Sequence, residues 1–140
     1  MAETAAQPAS EEQEYIDDMA RRRGYVLEYH KVMVKQDVSF MKACDGLVNA
    51  AYLNERLLDR KTKELIFIVS LTVLRAERAH ITSHIRAALA AGATPEEILE
   101  AIEISCPEAG VVAFQWGLDA WREVVQPDGI EPSPGVIASE

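Results

Sequence analysis

Cysteine is scarce in this sequence, since only Cys44 and Cys106 occur among 140 residues. The two form no CxxC motif, and they are far fewer than the cysteines that staple a small secreted scaffold. A chain of this length can bury enough apolar surface to fold without such cross-links. Cys44 lies on an apolar helical stripe and is interpreted as a small buried hydrophobe. These observations predict one domain in a reducing, cytoplasmic compartment.

Long hydrophobic runs are also missing. The most hydrophobic segment, "ELIFIVSLTVLRAE", is interrupted by Arg75 well before the length of about 20 residues that a membrane span requires. The opening "MAETAAQPASEEQEY" lacks the basic start and apolar core of a secretory signal. We therefore expect a soluble protein without a membrane partner.

Basic residues are outnumbered, because 14 Lys and Arg stand against 23 Asp and Glu, for a net charge of -9. Nucleic-acid backbones are bound by clustered basic residues, so we expect no nucleic-acid partner. The tightest basic cluster, residues 21–23, stands among acidic residues and is interpreted as a solvated face. An anionic small molecule could still bind in a locally positive pocket, for which Arg75, Arg78, His80 and His84 are candidates.

Helix signals dominate, and strand signals are nearly absent. N-cap residues, left-handed glycines and apolar side chains at helical spacing predict an all-α bundle of about six helices. The predicted caps and ends are Ser10 with Gln13, Gly24, Asp37, Asp59, Gly92, and Thr94 with Pro95 and Glu97. Pro107 is expected to interrupt the helical pattern that follows Thr94, and the pattern resumes in "EAGVVAFQWGLDAWREVV". We predict a helical domain over residues 10–126, a disordered tail over 1–9 and a flexible tail over 127–140.

Two helical segments are expected to bury apolar surfaces against other parts of the protein. From Asp37 an apolar stripe about four turns long is formed by Phe40, Met41, Cys44, Leu47, Val48 and Ala51. The segment "KTKELIFIVSLTVLRAE" is apolar on nearly every side, which is typical of a helix inside a bundle or between subunits. Glu64 is the one acid at its inner margin. It is either a buried functional carboxylate or an ordinary partner of the helix dipole.

The stretch "RAERAHITSH" carries the chemistry-bearing residues Glu77, His80 and His84. At about 100° per residue, these three fall within roughly 60° on a helical wheel, at the edge of the buried face. Histidine beside a carboxylate suits general acid or base catalysis. His80 and His84 are also spaced to chelate one metal ion, with Glu77 or Glu64 as an oxygen ligand. The plain alternative is a charged helix start with a half-buried histidine.

The run "LLDRKTKELIFIVSLTVLRAERAHITSHIRAALAAGATPEEILEAI" resembles the carboxymuconolactone decarboxylase and AhpD-like (alkylhydroperoxidase-like) family. The similarity covers about residues 55 to 125, and "KTKELI" and "HIRAALAAGATPEEILEAI" are its most specific pieces. The resemblance implies an all-α fold around a central helical hairpin. It also implies a homo-oligomer, a trimer or hexamer, with pockets near the subunit contacts.

The same resemblance suggests roles for individual residues. In the alkylhydroperoxidase branch, His84 would take the place of the histidine that follows the redox pair, and Glu64 would lie close to the partner glutamate. Glu77 and His80 stand where that branch has its two cysteines, so its CxxC pair is absent. Peroxidase chemistry would require Cys44 and Cys106 to meet on folding. The decarboxylase branch works without the cysteines.

Three functional hypotheses follow from the sequence. The first is a cofactor-independent lyase or isomerase of the carboxymuconolactone decarboxylase type, acting on a small organic acid or lactone. In it Glu77, His80 and His84 transfer protons and Glu64 supports them. The second places a divalent metal on the same histidines and glutamates. The third is a non-catalytic helical assembly module, which predicts a solvent-flooded surface around His84.

Overall fold

The computed structural model describes residues 9–129. Within that range the chain forms seven α-helices and no strand: α1 (Glu11–Arg23), α2 (Glu28–Gln36), α3 (Val38–Val48), α4 (Arg60–Val73), α5 (Arg78–Ala90), α6 (Pro95–Ala109) and α7 (Val111–Val125). A π-helical segment (Asn49–Leu53) continues α3. The predicted all-α class is confirmed. Of the two predicted tails, only residue 9 and residues 127–129 lie inside the described range.

The predicted caps are confirmed at four helix starts. The side chains of Ser10, Asp37, Asp59 and Thr94 each accept a hydrogen bond from a backbone N–H in the first turn of α1, α3, α4 and α6 respectively. These bonds satisfy donors that a helix start leaves without partners. At the other end of α1, Gly24 adopts φ 84°, a left-handed conformation that favours glycine.

Helix α2 was not predicted, which is why seven helices replace the expected six. Its start has none of the usual capping residues, because Leu27 occupies the N-cap position. The Nδ1 atom of His30, three residues later, instead accepts the backbone N–H of Leu27 at 2.9 Å. A histidine side chain therefore takes the part that Glu or Gln plays at the third position of a capping box, while the N-cap residue itself offers no side-chain acceptor.

Two other expectations are corrected by the structure. Pro107 does not interrupt α6, since it falls in the last turn and the helix continues to Ala109. The α3 stripe is only half buried: Met41 is enclosed, whereas Phe40 and Leu47 are 57% and 71% exposed. Cys44 lies partly buried beside Met41, as its interpretation as a small hydrophobe requires.

The apolar side chains form two separate cores. The larger core lies among α4, α5, α6 and α7 and includes Ile68, Ile81, Ile85, Ile98 and Ile102, all with no exposed surface. Burial of each such side chain stabilises the fold by roughly 1.5–3 kcal/mol. The smaller core joins α1, α2 and α3 through Met19, Val34 and Met41.

Helix α4 packs against α5, α6 and α7, as its nearly uniform apolar surface predicts. Its inner margin faces the α1–α3 unit across a set of polar and aromatic side chains, described below. No helix in residues 9–129 combines the length and the apolar character needed to cross a membrane.

Candidate active site

A buried carboxylate and a buried imidazole form the centre of the candidate site. Glu64 comes from the first turns of α4 and His84 from the middle of α5. The Nδ1 atom of His84 lies 2.7 Å from Oε2 of Glu64, and the two residues are 1% and 0% exposed. Of the two interpretations of Glu64 left open by the sequence, the structure places it as a buried carboxylate facing the histidine.

Aromatic rings enclose this pair. Phe67, one turn beyond Glu64 on α4, stacks on the His84 ring with 4.6 Å between centroids and 9° between planes. Tyr52 donates a short hydrogen bond to Oε1 of Glu64. The hydroxyl of Tyr25, on the loop between α1 and α2, lies 3.3 Å from Nε2 of His84. Both ring nitrogens of His84 therefore have a polar partner.

Arg60 links the pair to α1. Its Nε atom donates to Oε1 of Glu64 at 2.6 Å, and its Nη2 atom donates to the backbone oxygen of Arg23 at 2.7 Å. The guanidinium also lies over the ring of Tyr52, 4.6 Å from the ring centroid. The first turn of α4 is thus tied to the last turn of α1 through one side chain.

Burial favours the neutral form of both partners in the pair. It raises the pKa of Glu64 to about 8, and it lowers the pKa of His84 to about 4. Arg60 and Arg23 lower the pKa of His84 further, because they disfavour a second positive charge nearby. The Arg60 contact acts on Glu64 in the opposite direction and favours the carboxylate. Near neutral pH, Glu64 and His84 share one proton between Oε2 of Glu64 and Nδ1 of His84, which lie 2.7 Å apart.

Tyr25 is a neutral phenol under the same conditions. Burial, as the largest cause, raises its pKa to about 12, although the neighbouring Arg23 acts in the opposite direction. Its side chain is half-buried, whereas His84 is enclosed. Tyr25 therefore lies between His84 and the surface of the protein, as the partly exposed Arg60 does for Glu64.

The predicted line of Glu77, His80 and His84 is only partly formed. Helix α5 begins at Arg78, and Glu77 is its N-cap residue with extended backbone at ψ 139°, so the helical wheel does not apply to it. Glu77 is exposed. His80 is half-buried, and its ring centroid lies 5.3 Å from that of His84. Burial and the neighbouring His84 lower the pKa of His80, and Glu77 opposes that shift.

The helix starts late because of the turn that precedes it. Arg75 takes φ 52°, a left-handed conformation between the end of α4 and the start of α5. Thr82, in the second turn of α5, is buried with 3% of its surface exposed. The predicted metal set gains no support here, since residues 9–129 contain no group of three His, Cys, Asp or Glu side chains placed to hold a metal ion.

A second polar cluster lies beside the pair, in the α1–α3 unit. Arg22 and Arg23 bind the two oxygens of Asp45 at 2.8 and 2.5 Å, and Tyr15 donates to the same carboxylate at 3.0 Å. Residues 21–23 are therefore not simply the solvated face that the charge pattern indicated, because Arg23 is 3% exposed. His30, with no exposed surface, lies 3.3 Å from Arg23 and was missed in the sequence.

The two cysteines remain free thiols on different helices, Cys44 on α3 and Cys106 on α6. The pairing that peroxidase chemistry requires of them is not formed in the structure. The chemistry-bearing groups of the site are the carboxylate, the imidazole, the two phenols and the guanidinium described above.

Comparison with known proteins places this geometry in a family. The carboxymuconolactone decarboxylase family matches residues 39–123, which is more than half of the chain and includes Glu64, His80 and His84. The chain belongs to the carboxymuconolactone decarboxylase family. No curated protein sequence matches it.

A solved structure shows the same fold as this family member. The crystal structure of a candidate carboxymuconolactone decarboxylase from Burkholderia xenovorans LB400 superposes with a TM-score of 0.71 at 21% sequence identity. The alignment covers 81% of the present chain and 87% of that protein. At this level of identity the similarity establishes the helical fold.

Within this family fold, sequence reasoning found Glu64, His80 and His84 and missed the side chains that surround them. Tyr25 lies on a loop 59 residues before His84, and Tyr52 lies on an irregular π-helical segment. Neither position follows a helical period that could be read from the sequence. Arg60 was detectable, because it stands four residues before Glu64 on the same helix, the spacing of an ion pair.

Proposed function

We propose that this protein is a cofactor-independent lyase or isomerase that transfers a proton to a small organic acid or lactone, with the Glu64–His84 pair as its proton store. The observation that carries the proposal is the 2.7 Å contact between these two side chains in a nearly water-free setting. A non-catalytic module predicts solvent around His84, and its 1% exposure favours catalysis instead. Perturbed titratable groups of this kind are typical of functional sites.

The hydrogen-bond network indicates the direction of proton movement. Protonated Glu64 donates from Oε2 to Nδ1 of His84, so the neutral imidazole carries its hydrogen on Nε2. That hydrogen points to the oxygen of Tyr25, which leaves the phenol hydrogen available to a substrate. A proton can therefore pass from Glu64 through His84 to Tyr25 without a charged intermediate that is exposed to water.

A decarboxylation uses this relay as follows. The bond between the substrate carboxylate and the adjacent carbon breaks, carbon dioxide leaves, and the electron pair moves into the lactone carbonyl to form an enolate. Tyr25 donates its proton to the carbon, His84 reprotonates Tyr25, and Glu64 reprotonates His84. The pair then takes one proton from solvent. In an isomerase the enolate forms by loss of a proton from carbon instead of carbon dioxide, and the deprotonated relay accepts that proton and returns it to a different carbon.

The experiment measures carbon dioxide release from a panel of carboxylated γ-lactones, together with deuterium incorporation at carbon in D2O by NMR. General acid catalysis contributes about 10²–10⁴-fold in rate, so His84→Gln and Tyr25→Phe should each lower turnover by at least about 100-fold. Tyr25→Phe is the safer variant for folding, because Tyr25 is half-buried on a loop. Circular dichroism checks that each variant retains its helices.

Glu77→Gln distinguishes this proposal from the residue line predicted from the sequence. Glu77 is exposed at the start of α5, and the proposed relay does not use it, so the variant should keep most of the turnover. If Glu77→Gln were as inactive as His84→Gln, the result would instead support catalysis by Glu77, His80 and His84, the set that the sequence predicts. Absence of both carbon dioxide and deuterium incorporation across the whole panel would contradict the proposed reaction class.

A further inference from the structure

A second phenol, Tyr52, contacts the proton store but takes no part in the relay. It lies on the π-helical segment (Asn49–Leu53) between α3 and α4 and is 2% exposed. Its hydroxyl donates to Oε1 of Glu64, and within residues 9–129 this hydroxyl has no other hydrogen-bond partner. The contact of Glu64 with His84 uses the other oxygen, Oε2. Tyr52 therefore binds the carboxyl oxygen that does not face His84.

Oε1 of Glu64 receives two hydrogen bonds. One comes from the hydroxyl of Tyr52, and the other comes from Nε of Arg60 at 2.6 Å. A guanidinium can only donate, and a buried phenol with a single partner must donate to that partner if its hydrogen is to be satisfied. Since a carboxyl oxygen has two lone pairs, both of those on Oε1 are occupied. When Glu64 is protonated, Oε2 is therefore the oxygen that carries the proton.

The backbone around Tyr52 is anchored at both ends of its segment. At the start, Nη1 of Arg22 donates to Oδ1 of Asn49 at 2.6 Å. At the end, Nζ of Lys63 donates to the backbone oxygens of Tyr52 and Asn54, each at 3.0 Å. Lys63 is only 8% exposed, and a buried ammonium group requires such partners. Two cationic side chains thus hold a π-helical turn, a rare form that is frequent at functional sites.

The oxygen that carries the proton decides the tautomer of His84. With the proton on Oε2, Glu64 donates to Nδ1, and the imidazole hydrogen lies on Nε2, facing Tyr25. With the proton on Oε1, Oε2 would instead accept a hydrogen from Nδ1. Nε2 would then accept the hydroxyl hydrogen of Tyr25, which would have no hydrogen to give to a substrate.

From these contacts we propose that Tyr52 is a positioning residue, which keeps the proton of Glu64 on Oε2 and so holds His84 in the Nε2–H tautomer. The inference rests on the proposed function, because this tautomer is the one that leaves the hydrogen of Tyr25 available to the substrate. Tyr52 acts through Glu64 and does not itself transfer the proton.

The tautomer is measured by NMR of 15N-labelled histidine at pH 6.5, where Glu64 is protonated. The chain has three histidines, and the signals of His84 are those missing from His84→Gln. The wild type should show the Nε2–H form. Tyr52→Phe keeps the ring against Phe67 but removes the donor. The ratio of the Nδ1–H form to the Nε2–H form should rise about tenfold, the effect of one hydrogen bond.

Turnover should follow the tautomer. In Tyr52→Phe, kcat should fall with the population of the Nε2–H form and KM should stay unchanged, because the lost bond acts on the proton store. A Tyr52→Phe protein in which His84 keeps the wild-type tautomer would overturn the positioning role.

Tyr15→Phe is the matched control. Tyr15 also donates to a buried carboxylate, that of Asp45 at 3.0 Å, but it does so in the second polar cluster. This variant removes a bond of the same kind and should leave the tautomer of His84 and kcat as in the wild type. An equal shift in Tyr15→Phe and Tyr52→Phe would show a general loosening of the fold and would contradict the assignment.

Arg60→Met is a second variant, for the case that Tyr52→Phe does not fold. It removes the other donor to Oε1, from a side chain that is 34% exposed. Arg60→Met should give the same mixture of tautomers, and an unchanged tautomer would count against the proposal. A mixture in Arg60→Met but not in a folded Tyr52→Phe would assign the positioning to the guanidinium and overturn the role of Tyr52.

The remaining outcomes separate the positioning from the chemistry. A tautomer shift in Tyr52→Phe, in a protein that releases no carbon dioxide from any lactone, would leave the role of Tyr52 standing and the reaction wrong. Turnover that His84→Gln abolishes, with tautomer and kcat unaffected by Tyr52→Phe, would overturn the role of Tyr52 and leave the reaction standing.

Discussion

At the scale of single residues, the main feature of the site is that Glu64 and His84 are both buried away from solvent. Desolvation favours protonated Glu64 and neutral His84, so their pKa values, about 8 and about 4, lie in reversed order relative to the free side chains. Enzymes use carboxylic acids whose pKa is raised toward neutral pH as general acids in proton transfer. The burial that creates this acid also links the stability of the protein to pH.

The direction in which stability changes with pH differs between Glu64 and the two histidines, His84 and His30. The folded pKa of Glu64 is raised from 4.5, so its contribution to stability is complete below pH 4.5 and is lost as the pH rises through about 8. The folded pKa values of His84 and His30 are lowered from 6.5 to about 4, so their contributions are present above pH 6.5 and are lost as the pH falls through about 4.

We therefore predict a stability maximum near pH 6.5. Between pH 4 and 6.5 the two histidines outweigh Glu64 and stability rises with pH, whereas between pH 6.5 and 8 Glu64 alone lowers it. Urea unfolding of the wild type should show a lower midpoint at pH 8 than at pH 6.5. Glu64→Gln should remove that decrease, because the amide does not titrate. A midpoint that falls equally in the variant would assign the pH effect to other groups.

At the scale of helices, α4 and α7 approach each other closely at Gly117. A Cβ atom at this position would lie 2.5 Å from Oγ1 and 2.6 Å from Cγ2 of Thr72, which is fully buried on α4. Real side chains do not tolerate such distances, and Thr72 is β-branched with restricted rotamers. The glycine is therefore required by packing, although glycine is a weak helix former.

Gly117→Ala should lower the free energy of unfolding by about 1–3 kcal/mol, the usual cost of overpacking, despite the better helix propensity of alanine. Gly46→Ala is the matched control. Gly46 lies within α3 with nothing within 4 Å of the position of its Cβ, so this variant should be as stable as the wild type or up to about 1 kcal/mol more stable. Thermal unfolding of both variants, and of Gly117→Ala combined with Thr72→Ala, measures the effect. Persistence of the full cost in the double variant would rule out the clash with Thr72.

The helices also show what the sequence could predict and what it could not. Capping residues and the helical spacing of apolar residues predicted α1, α3, α4, α5 and α6, because these signals act within a few residues. Helix α2 was missed because Leu27, at its N-cap, has no side-chain acceptor, and because His30 rather than Glu or Gln accepts the N–H of Leu27. Glu77 was misplaced because the left-handed residue Arg75 delays the start of α5. The partners of His84 come from loops and from distant helices, where no local period exists.

At the scale of the whole molecule, large apolar side chains remain uncovered in the single chain. On α3 these are Phe40 and Leu47, and around the junction of α6 and α7 they are Ile104, Val111 and Val112, all more than half exposed. Exposed groups of this kind are typical of protein interfaces. They accord with the homo-oligomer, a trimer or hexamer, that the family resemblance implies.

We predict that light scattering coupled to size-exclusion chromatography gives a mass that is a multiple of 15.5 kDa. Phe40→Asp or Val112→Asp should reduce that mass if the corresponding surface is an interface, because each would bury an unpaired charge. Glu100→Lys, at an exposed position of α6, should leave the mass unchanged. A wild-type mass of one chain would contradict the predicted assembly without affecting the Glu64–His84 pair.

The central claim is that Glu64 and His84 share one proton inside the protein, and NMR of 15N-labelled histidine as a function of pH tests it most directly. His84 should remain neutral from pH 7 down to about pH 4, and its ring nitrogens should report a second transition near pH 8 when Glu64 loses its proton. That transition should be absent in Glu64→Gln. A His84 ring that protonates near pH 6.5, with no transition near pH 8, would contradict the claim.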